Sequence, residues 1–127
     1  MSCLQTSVGE GGVNSSRDVK YVQFLLCDWG YSARRVAIVV DGIVGPQTKA
    51  EIKAFQSQYT GIVDGRVDPN GPSIKALEDA HINNLAFNIG TSASKYAYLL
   101  PKPAAPGPLS FDDMTSRYFS ALYASFT

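Results

Sequence analysis

The chain writes one phrase twice. Val40–Gln56 reads VDGIVGPQTKAEIKAFQ, and Val63–Glu78 reads VDGRVDPNGPSIKALE. Each copy contains an Asp-Gly pair, a valine, a Gly-Pro pair and then apolar residues one helical turn apart. Asp-Gly is a turn signal, because glycine takes positive φ without steric cost and aspartate caps its own backbone. Proline suits the first turn of a helix, where its missing N–H has no partner to lose. The duplicated phrase therefore describes a shape: a tight turn, a buried valine, a helix start. The second copy carries three extra residues, Asp68, Pro69 and Asn70, before its Gly-Pro pair. Two copies are too few for a solenoid, which needs at least about three.

The flanking segments complete the pattern. Residues 1–14 are Gly-rich and read as a flexible N-terminal segment. Ser15 and Asp18 have the spacing of a capping box, and Val19, Val22, Leu26 and Trp29 then form one helical stripe that Gly30 is placed to end. Val36–Val40 is apolar and β-branched, either a short strand or an extended buried segment. Thr48, Ile52, Phe55 and Tyr59 share a face of the second helix, which Gly61 ends. Ile74, Leu77, His81 and Leu85 line the third. The reading is an all-α domain over residues 15–87: a three-helix bundle with two Asp-Gly turns.

Residues 88–108 hold the Pro-rich run PKPAAPGP and read as a linker. Residues 109–127 then form an amphipathic C-terminal helix opened by a Ser110/Asp113 capping box, with Phe111, Met114, Tyr118, Leu122 and Phe126 on one side. An aromatic face of this kind needs a cover, either the body of the same chain or another protein. Tyr21 and Phe24, which point away from the first helix's stripe, are the natural surface for it.

Composition narrows the function. The 127 residues suit one domain, and 45% hydrophobic content argues against disorder. With 11 basic and 11 acidic side chains and no cationic run beyond Arg34-Arg35, there is no stripe to neutralise phosphates, so nucleic acid is not an expected partner. No apolar stretch is long enough to span a membrane. The first residues lack a cationic start and an apolar core, so no conventional signal peptide is expected there. Two cysteines, Cys3 and Cys27, make no disulfide framework.

Catalytic chemistry finds few residues. A zinc site needs about three ligands around an open position, and the single histidine, His81, lies on an apolar stripe where it reads as a satisfied core or rim residue. No motif surrounds a Cys27–His81 pair. Asp41, Asp64 and Asp68 are explained by their turns better than as a glycosidase pair, and the 64–70 stretch lacks the ligand spacing of a calcium loop. The expectation is no enzyme, no metal and no cofactor.

The segments DVKYVQFLL, DGIVGPQTKAEIKAFQ and GIVDGRVDPNGPSIKALE together resemble the three-helix peptidoglycan-binding domain of bacterial cell-wall hydrolases. Gln23, Asp41-Gly42, Gly45, Thr48, Phe55-Gln56 and Asp64-Gly65 carry the likeness, over roughly residues 13–85. Glu51 departs from it, standing where the family often has alanine. The resemblance implies non-catalytic binding of wall peptidoglycan, by stem peptide or glycan, that targets the chain or a partner to the wall. A narrower likeness to versions in type VI secretion cargo implies the alternative, an adaptor or cargo component using the aromatic helix. It also implies a bacterial protein that is cytoplasmic until a specialised system exports it, acting in the periplasm or at the wall.

Stem peptides carry carboxylates and amides, and sugars have apolar faces. A site for them wants guanidinium groups, aromatic rings and loop N–H groups. Tyr31, Arg34 and Arg35 supply these before the first repeat, with Tyr59 and Arg66 in the corresponding place at the second. Gln23 and Gln56 read as structural amides that tie loops to helices.

Overall fold

The computed structural model describes residues 3–35, 38–91 and 111–126, apart from the side chains of Ser32, of 85–91 and of 111–114. Val36, Ala37, most of the Pro-rich linker, the Ser110/Asp113 box and the side chains of Leu85, Phe111 and Met114 lie outside the described residues.

Four helices dominate: α1 (Ser16–Ser32), α2 (Pro46–Tyr59), α3 (Pro72–Thr91) and α4 (Phe111–Ser125). The fold is helical, as the turn-and-helix phrases require. Both Gly-Pro pairs open their helices, with Gly45 as N-cap and Pro46 in the first turn of α2. α3 runs past residue 87, so the boundary drawn there for a linker falls inside its last turn.

One element was absent from the reading. Strand β1 (Val8–Gly9) pairs antiparallel with β2 (Arg66–Val67), Val8 opposite Val67 and Gly9 opposite Arg66. Residues 3–14 are thus a packed arm and not the flexible segment expected. Leu4 and Val8 are buried, and Asn14 folds its amide back onto Gly9, accepting from the Gly9 N–H at 2.7 Å and donating to its carbonyl at 3.2 Å. A Cβ on Gly9 would sit 2.2 Å from the Gly65 carbonyl oxygen, and Gly9 has φ +111°, so glycine is required for the close approach.

The core joins Val19, Val22, Leu25, Leu26 and Trp29 of α1 to Ile52 and Phe55 of α2, Ile74 and Leu77 of α3, and Val8 and Val67 of the strands. The expected stripes are there, with two corrections at the ends of α1. Ser15 makes no side-chain cap, and Asp18 turns to the arm, accepting from the Gln5 and Thr6 N–H groups at 3.2 and 3.1 Å. Gly30 is helical and does not end the helix. Arg34 takes the left-handed position, φ 58°, and the Arg35 N–H returns to the Gly30 carbonyl at 2.7 Å. That is the bond pattern of a Schellman ending with arginine in the place glycine usually holds.

α4 lies on the same body. Tyr123 and Phe126 meet Tyr21 edge-on at 5.4 and 6.4 Å, and Phe126 is 5.7 Å from Phe24. Its most buried side chains are Phe119 and Tyr123. Tyr118, Leu122 and Phe126 are partly buried and packed against the core, so among the described side chains the inward face is wider than the stripe drawn on the sequence.

Candidate functional site

Two buried glutamines hold the two Asp-Gly loops in the same way. Gln23, on α1, accepts the Asp41 and Gly42 N–H groups on its Oε1, both at 3.0 Å. Its Nε2 donates to Asp41 Oδ1, the Ile43 carbonyl and Thr48 Oγ1 at 3.0–3.1 Å. Gln56, on α2, accepts the Gly65 N–H at 2.8 Å and donates to Asp64 Oδ1, the Arg66 carbonyl and Ser73 Oγ at 2.9–3.0 Å. The orientation of each amide is fixed, because backbone N–H groups can only donate and so must face its oxygen. Each clamp ties a helix to the next loop and to the first turn of the next helix. This is the physical content of the repeated phrase.

The aspartates close their own turns. Asp41 Oδ1 accepts the Ile43 N–H at 2.9 Å and Asp64 Oδ1 accepts the Arg66 N–H at 3.0 Å. These N–H groups, and next the amides of Gln23 and Gln56, hold both carboxyls below the ordinary value of 3.8. A carboxyl depressed on folding adds stability that is present above its unfolded pKa and lost as pH falls through the folded one. The thermal midpoint should therefore drop as pH is lowered from about 4 towards 2, and Asp41→Asn should flatten that drop. A titration of the midpoint by circular dichroism checks both.

The expected ligand residues divide into two neighbourhoods. Trp29, near the end of α1, gathers the first. Its ring lies 5.2 Å from Phe55 and 6.4 Å from Tyr59, with the Arg35 guanidinium 5.3 Å above it. Tyr59 stacks on Phe55 at 4.5 Å and 18° between planes. Tyr31 is 88% exposed, and Arg34 is exposed beside it. Arg35 is already engaged: its Nη2 donates to Glu51 Oε1 at 2.7 Å and its Nε contacts both carboxylate oxygens. Arg66 belongs to the second neighbourhood, beside β1, where its Nε donates to Asp68 Oδ1 at 2.9 Å.

Between the ends of α1 and α2 and the middle of α3 is a cleft of about 240 Å³, lined by Trp29, Tyr59, Ala76, Asp79, Ala80, Asn83 and Asn84. The sequence reading gave no role to its α3 side. Ala76 and Ala80, one helical turn apart, leave the room that larger residues would fill, and that spacing was the available signal. A second, more open concavity of about 390 Å³ lies against the first loop, among Ile38, Val39, Ile43 and Gln47.

The titratable groups read as bland are structural here. Both ring nitrogens of His81 are engaged, Nδ1 with Asp28 Oδ2 at 2.8 Å and Nε2 with the Tyr118 hydroxyl at 2.6 Å. Burial works to raise the Asp28 carboxyl, but the bonds from His81 and Asn84 outweigh it and hold it low. Cys27 donates to the Ile38 carbonyl, and burial pushes its thiol up, away from thiolate chemistry. Among the described residues no three His, Cys, Asp or Glu side chains are gathered as a metal site would need.

The helical body thus carries two clamped loops, an aromatic-walled cleft and a histidine locked into packing. Residues 15–70 match the family model described as a putative peptidoglycan binding domain, the family that the motifs resemble. That domain is a non-catalytic binding domain. No curated protein and no solved structure matches the chain. No helix among the described residues is long and apolar enough to cross a membrane.

Proposed function

We propose that the chain binds wall peptidoglycan, by glycan or stem peptide, at the cleft walled by Trp29 and Tyr59, with Tyr31 and Arg34 exposed near the same end of α1, and so places itself or an attached partner on the wall. The observation that carries this reading is Tyr59. It is 53% exposed while stacked face-on against Phe55, so the rest of the fold holds a ring rigid with its outer face in solvent. Pre-organised aromatic surface is how binding modules grip sugar and peptide at low entropic cost. The clamps serve the same end, because they keep the helices that carry these rings in register.

The alternative, α4 as a docking element for another protein, has less support. Phe119 and Tyr123 are buried, and Tyr118 and Phe126 make their ring contacts within the chain. Pull-down with insoluble sacculi should retain the protein and lose most of it on Tyr59→Ala with Tyr31→Ala. Equal retention of the double variant, with its fold verified by circular dichroism, would move the site elsewhere.

A further inference from the structure

Two of the three guanidinium groups expected to capture stem-peptide carboxylates already hold carboxylates of this chain, and the third, Arg34, is not among the residues that line the cleft. Arg35 lies 2.7 Å from Glu51 and Arg66 lies 2.9 Å from Asp68. No lysine or arginine lines the cleft beside Tyr59, and its charged lining residue is Asp79. An incoming carboxylate would meet a like charge there, and like charges at short range repel strongly where water is displaced. The remaining lining is ring, methyl and carboxamide: Tyr59 and Trp29, Ala76 and Ala80, Asn83 and Asn84. Asn84 Nδ2 donates to Asp28 at 3.2 Å, which holds that amide in place.

Accepting the wall-binding reading above, on which this step rests, we infer that the cleft takes an N-acetylated amino sugar of the glycan strand and not the carboxylate-bearing stem peptide. The exposed face of Tyr59 matches the apolar C–H face of a pyranose. Asp79 accepts the acetamido N–H, Asn83 exchanges hydrogen bonds with ring hydroxyls, and the alanine floor takes the acetyl methyl group. The volume, about 240 Å³, is below the roughly 300–1,000 Å³ of sites that enclose a whole small molecule, and suits one unit of a polymer.

The test uses the full chain. Calorimetry with the tetramer of β-1,4-linked N-acetylglucosamine should give a saturable heat, and free stem tetrapeptide should give none. Soluble glycan strands, freed of stem peptides by an amidase, should compete with intact sacculi for the protein. Tyr59→Ala should weaken the sugar about tenfold, the scale of one lost aromatic contact, and Asp79→Ala, at an exposed helical position, should weaken it without affecting the fold. Arg66→Ala should bind as the parent does. Binding of the tetrapeptide alone, or failure of the freed glycan strands to compete while intact sacculi still hold the protein, overturns the inference and leaves wall binding standing. Failure to bind intact sacculi overturns both.

Discussion

Gln23→Leu should lower the thermal midpoint by roughly 10 °C, although it deletes no apolar contact and nearly preserves side-chain volume. Gln23 is 1% exposed and joins five groups: two backbone N–H groups, a carbonyl, a carboxylate and a hydroxyl. Leucine satisfies none of them. Water can reach the loop side, where Asp41 is exposed, but not the Thr48 hydroxyl, which is buried. Each buried group left unsatisfied costs about 1–3 kcal/mol, so about 3 kcal/mol in total is expected, and for a domain of this size that shifts the midpoint by about 10 °C. Gln56→Leu should behave alike, since it holds the second loop through the matching atoms. Thermal melts followed by circular dichroism decide it. A loss under about 3 °C for both variants would mean that the loops are held by something other than these amides.

Asp18→Ala should have a comparable effect for a different reason. Asp18 is 1% exposed and accepts from the Gln5 and Thr6 N–H groups, the Thr6 hydroxyl and the Tyr123 hydroxyl, the last at 2.7 Å. One carboxylate therefore ties the N-terminal arm and α4 to α1. Its removal should cost about 3 kcal/mol and loosen two segments together. A second readout separates this from general damage. The Tyr123 phenol is pushed up to about 12, first by burial and then by the bond to Asp18. Without the carboxylate it should ionise at lower pH, visible in an ultraviolet titration. A Tyr123 titration left unshifted in the variant, with the thermal midpoint also unchanged, would show that Asp18 does not hold α4.

What was legible in the sequence was local. Pro46, Pro72 and Gly61 mark helix ends because their backbone chemistry decides the matter within a few residues. The Asx turns of Asp41 and Asp64 are local for the same reason, and the two glutamines became legible through the repeat. What was missed depends on partners far along the chain. The β1–β2 pair is two residues long on each side and exists because Gly9 can touch Gly65. Asp18 left its capping role for a residue pair that precedes the helix. The state of Arg35 turned on Glu51, the one position noted as departing from the family pattern. That departure was the signal for the ion pair, and it went unused because spacing alone does not show which loop folds over which helix. On the α3 side of the cleft, Asp79 and Asn83 looked like an ordinary solvated face.

The central claim is that the rings at the end of α1 and α2 meet the wall polymer. Trp29 is the only tryptophan of the chain and lies in that cleft, so its fluorescence reports on the site directly. Titration with soluble peptidoglycan fragments should give a saturable change in Trp29 emission that is lost in Tyr59→Ala. Emission that stays flat while the same fragments bind, as judged by calorimetry, would contradict the account.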